Sequence, residues 1–87
     1  MSDRSPQIKE VIVRKLGREK AYGLSYKGFG EIHIHSDIKS GKEELETWLH
    51  EMLHIINPNF SEKRVTNDAK KMTNILWKQG YRKCRVK

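Results

Sequence analysis

Cysteine is nearly missing from this chain: its 87 residues include one, Cys84, close to the C-terminal end. That excludes an internal disulfide framework and points to a reducing compartment. Long apolar runs are missing too. The first twenty residues, MSDRSPQIKEVIVRKLGREK, hold no stretch of signal-peptide length, and nothing later is long enough to span a bilayer. We therefore expect a soluble, cytoplasmic protein with no membrane contact. Aromatic residues make up only 8% of the chain, and no base-stacking platform or DNA-reading motif is recognisable among them. The short GFG (Gly28–Gly30) is no phosphate-binding loop and reads as a turn.

What the chain does have is positive charge, +7 net. It gathers at the C-terminal end, where KQGYRKCRVK carries five basic residues and no acid. Such a tail is a solvated terminus or a contact for nucleic acid or an acidic protein face. The length fits one small domain, which we place at 8–80, after a disordered 1–7 and before a basic tail at 81–87. A domain this small buries only about 60–65% of its unfolded surface, so a bound metal would add needed stability.

The organisation reads as three strands and two helices. Ile8–Leu16 (IKEVIVRKL) is β-branched and partly alternating and reads as a strand or a short helix; Lys20–Lys27 and Glu31–Ile38 read as a hairpin joined by GFG. In EIHIHSDI, Ile32 and Ile34 share one face, and His33 and His35 the other. Ser40-Gly41 opens a helix through about Ile56, closed before Pro58. Ser61 caps a second helix that runs to about Gln79, with Gly80 as its stop. The predicted class is α+β: a small antiparallel or mixed sheet followed by two packed helices.

One stretch carries chemistry: WLHEMLHII, Trp48 to Ile56. At about 100° per residue, Leu45, Trp48, Leu49, Met52, Leu53, Ile55 and Ile56 share a broad apolar arc. His50 and His54 fall roughly opposite, with Glu51 at the arc's edge. The histidines are then either a solvated polar stripe or a metal-binding pair, since imidazoles four apart converge on one ion at about 2.0–2.1 Å. On the second helix Val65, Ala69, Met72, Ile75 and Leu76 form the apolar stripe, and Glu62 and Asp68 flank it. Were the helices to fold back near Pro58, residue 62 would lie level with His54. Glu62 is thus the expected third ligand, and Asp68 at most a hydrogen-bond partner of a ligating imidazole. Glu62 would also be favoured in a first helical turn without any metal.

HEMLH, followed after a proline-containing turn by SEKRV at the head of a second helix, resembles the zincin metallopeptidases. More narrowly it is similar to the gluzincins, whose third ligand is a glutamate on the following helix. The resemblance spans roughly Glu31 to Leu76. It implies Zn²⁺ held by His50, His54 and Glu62, with Glu51 as general base, and EIHIHSDI as the sheet edge where an extended peptide docks. The chain departs from the pattern in lacking an Asn before Glu62 and in carrying Thr66 where an acid usually stands. Lesser candidates are His33 and His35, if their face met the cleft, and Tyr81 and Arg82 as oxyanion partners. Cys84 has no catalytic partner nearby in sequence.

The leading expectation is a zinc metallopeptidase acting on a peptide or protein. Its rivals are an inert zinc-containing binding module, and a nucleic-acid binder that uses the basic surface and tail.

Overall fold

In the computed structural model, residues 8–16, 22–26, 28–38 and 40–83 are described. The ends of the expected second strand at Lys20–Ala21 and Lys27, the N-terminal segment 1–7 and Cys84 lie outside them. The class is α+β. Strands β1 (Glu10–Arg14), β2 (Gly23–Tyr26) and β3 (Glu31–His35) are followed by helices α1 (Gly41–Ile56) and α2 (Glu62–Lys78).

The sheet is mixed, in the order β1-β3-β2. β1 runs parallel to β3 with Glu10 opposite Glu31, and β2 runs antiparallel to it with Ser25 opposite Ile32. The GFG turn closes the hairpin through Phe29 N–H to Tyr26 C=O (3.1 Å), with Gly30 at φ 66°, a conformation that costs glycine nothing. β3 is therefore the central strand, which corrects its expected place as the docking edge: the edge beside the helices is β2. A parallel partner on one side and a hairpin on the other leave β3 no free hydrogen-bonding row.

Ile32 and Ile34 point from β3 to the helices and are fully buried with Ile55, while Ile38 is nearly so; Trp48, Met52, Val11 and Ile8 pack against them. Burying each such side chain favours folding by about 1.5–3 kcal/mol. Both helices begin as expected. Ser40 Oγ accepts from Glu43 N–H and Ser61 Oγ from Arg64 N–H, and Gly80 (φ 91°) ends α2.

The two helices form an antiparallel hairpin. α1 packs on β2 and β3, whereas α2, among the described residues, packs on α1 and on no strand. The apolar arcs are thus only partly covered: Ile55, Val65 and Ala69 are buried, but Ile56, Met72 and Ile75 are exposed, and Thr73 takes the third buried place on α2. Among the described residues no helix is long and apolar enough to cross a membrane.

Candidate metal centre

Position 62 is the first residue of α2, one step past its Ser61 cap. The turn before it is tight: Asn57 N–H bonds Leu53 C=O, and Phe60 N–H bonds Asn57 C=O. This brings Glu62 back beside the last two turns of α1. There His50 Nε2 lies 2.8 Å from Glu62 Oε1, and His54 Nε2 lies 2.8 Å from Oε2. The two Nε2 atoms are 3.1 Å apart. The expected ligands meet at one point.

The histidines are not the solvated stripe that helical periodicity allows. Their side chains are only 20% and 16% exposed, because α2 comes alongside the face that the sheet does not cover. Glu62 is 70% exposed and closes the cluster from the solvent side.

A ring nitrogen presents either one N–H or one lone pair in its plane. As N–H groups, the two Nε2 atoms would each donate to one oxygen of Glu62 at 2.8 Å. As lone pairs, they and the carboxylate would offer three donors to one cation. Two donors at about 2.0–2.1 Å from one tetrahedral ion are about 3.3 Å apart, close to the separation here. His50, His54 and Glu62 could together hold a divalent metal, and two imidazoles with one carboxylate suit zinc.

Glu51 lines the same cleft as this cluster, on the side of β2. Ser25 Oγ donates to Glu51 Oε1 at 2.5 Å and lies 3.0 Å from the Glu51 carbonyl oxygen. Gly23 makes that approach possible. A Cβ there would lie 2.8 Å from both Glu51 Cγ and Thr47 Cγ2, closer than side-chain carbons pack. Nothing in HEMLH itself points to Gly23 or Ser25. The signal available was two small residues at alternate positions of a strand, one of them a glycine, which marks close backbone approach.

An open cleft of about 410 Å³ adjoins the cluster, walled by Tyr22 and Gly23 on one side and by Glu43, Glu46 and Thr47 of α1 on the other. It continues past Leu24 and Ser25 to His54. No lysine or arginine lines it among the described residues.

The other candidates lie elsewhere. Asp68 pairs with Arg64 on its own helix (3.7 Å), not with an imidazole. His33 sits on the sheet face away from the helices, with Arg14 Nε at 2.7 Å and Glu31 Oε1 at 3.1 Å. His35 shares that side of β3, where Leu16 N–H points at its Nδ1 (3.5 Å). Tyr81 and Arg82 lie at the far end of α2, about 25–30 Å from Glu62 along the helix. There Arg82 stacks on Trp77 at 3.4 Å, in a groove with Gly41 and Glu44.

In comparisons with protein-family models, curated proteins and solved structures, nothing matches this chain.

Replacing Gly23 by alanine tests the close approach. At an ordinary backbone this change stabilises by about 0.4–1 kcal/mol through the unfolded chain. Here overpacking against Thr47 and Glu51 should outweigh that, for a net loss of about 1 kcal/mol or more in urea unfolding. A Gly23→Ala protein as stable as wild type would show that strand and helix have room to part.

Proposed function

We propose that this protein is a zinc-dependent metallopeptidase that hydrolyses a peptide or protein. The observation that carries the proposal is the meeting of three donor atoms from His50, His54 and Glu62 in an open cleft, with Glu51 beside them and, alongside, a strand edge unpaired among the described residues. The resemblance of HEMLH and SEKRV to zincins points the same way.

His50, His54 and Glu62 would hold the metal. Bound there, zinc would supply a Lewis acid that polarises a carbonyl and lowers the pKa of a water toward about 7. Glu51 would take a proton from the attacking water and deliver it to the scissile nitrogen as the amine leaves.

The strand edge supports a peptide substrate. His35 N–H bonds Tyr22 C=O at 2.7 Å, so residues 22, 24 and 26 turn their backbone groups toward β3. By alternation, Gly23 and Ser25 turn theirs outward to the cleft side. Among the described residues no strand pairs with that edge. An extended peptide added there would hydrogen-bond to Gly23 and Ser25 and pass along the cleft. Glu43 and Glu46 on the opposite wall disfavour a phosphate backbone in the same place. Nucleic acid is then at most a partner of the exposed lysines on α2, not the substrate.

The test is metal analysis of the purified protein together with a broad peptide-cleavage screen. One zinc per chain is expected, with cleavage that a chelator abolishes and added zinc restores. A folded, zinc-loaded protein that cleaves no peptide would reject the peptidase and favour a binding module. A protein without affinity for zinc would reject both.

A further inference from the structure

We infer that Ser25, through its hydroxyl, is the positioning residue that fixes Glu51 for proton transfer and ties it to the strand edge where the peptide docks. The inference rests on the peptidase reading and adds to it a residue outside the HEMLH helix.

Glu51 lies on the helix face that meets β2, where a glutamate side chain left alone samples several rotamers. Ser25 removes that freedom. Its single hydroxyl reaches two oxygens of the same residue, Oε1 at 2.5 Å and the main-chain carbonyl at 3.0 Å. With Oε1 held by a donor, Oε2 keeps its lone pairs for the proton taken from water. The side chain is held from the other side as well, because Gly23 leaves no more space than Glu51 Cγ and Thr47 Cγ2 require.

The same two residues form the docking edge. Gly23 and Ser25 present their side-chain positions to α1 and turn outward backbone groups that pair with no strand among the described residues. A peptide paired to this edge thus meets the strand at the residue that holds the base. Docking and proton transfer share one anchor, and a shift of β2 moves both.

The experiment compares wild type, Ser25→Ala and Ser25→Thr, all zinc-loaded, on a peptide that wild type cleaves. Ser25→Ala should lose about 10- to 100-fold in kcat, the scale on which misplacing a catalytic group is felt. Its KM should stay within about twofold, because the docking groups are backbone atoms. Ser25→Thr keeps the hydroxyl and should recover most of the rate. A second readout needs no activity: in crystals of the metal-free proteins, the Glu51 carboxylate should hold one position in wild type and Ser25→Thr, and leave it in Ser25→Ala.

An unchanged kcat in Ser25→Ala, a loss confined to KM, a failure of threonine to recover the rate, or an unmoved Glu51 in the metal-free crystal would each overturn the assignment. If wild type cleaves and Ser25→Ala matches it, only the role of Ser25 falls. If zinc-loaded wild type cleaves nothing, the peptidase reading falls and the role of Ser25 with it.

Discussion

Glu51→Gln should bind zinc as wild type does and lose about 10²–10⁴-fold in kcat/KM, the range that one general base supplies. At about 1.36 kcal/mol per decade, that is roughly 2.7–5.4 kcal/mol of transition-state stabilisation. The substitution is a clean probe of proton transfer. Glutamine has the shape of glutamate, and its amide oxygen can still accept from Ser25 Oγ, so the packing against Gly23 and Thr47 should survive. Glu51 is not one of the three converging donors, so zinc content should not change. Steady-state kinetics paired with metal stoichiometry reads both at once. Zinc-loaded Glu51→Gln that still cleaves at the wild-type rate would remove Glu51 from the chemistry.

The second large effect concerns His54→Ala. Its Nε2 meets both Glu62 and His50, so removing it takes away one corner of a three-membered cluster. Losing even a hydrogen-bond partner of a metal ligand typically costs 10–100-fold in affinity, so losing the ligand should cost more than about 100-fold. Glu62→Ala should weaken binding less, because Glu62 is the exposed member and a water can take its place. Stability should follow the metal. At a free zinc concentration about 100-fold above Kd, binding adds about 2.7 kcal/mol, which for a domain of this size raises Tm by about 10–20 °C. A chelator should remove that increment from wild type and change nothing in His54→Ala. Equal zinc affinity in Glu62→Ala and wild type would exclude Glu62 as the third ligand.

Much of this was readable from the chain. The helices were marked by their own punctuation, Ser40, Pro58, Ser61 and Gly80, whose effects are local and need no tertiary context. Glu62 could be placed because a short turn fixes how two helices run back along each other. The order of the strands was not readable. Alternation in EIHIHSDI marks a strand with two faces but carries nothing about its neighbours, and the parallel pairing of Glu10–Arg14 put it in the middle. Periodicity likewise gave the apolar arcs of both helices without saying how much of each is covered. Ile56 and Ile75 stay in water because α2 rests on α1 and stops short of the sheet. Ser25 escaped notice for a related reason. Its meaning comes from Glu51, 26 positions later, and nothing local announces the meeting.

The missing Cβ at position 23 has one more consequence. Strands can slip, and a displacement of β2 by one residue would turn every side chain on it to the opposite face. Leu24 and Tyr26 would then press on Thr47 and Glu51, where not even a methyl group fits. The misaligned hairpin cannot seat on α1. The glycine acts as a key, admitting only the alignment in which a hydroxyl arrives at the carboxylate.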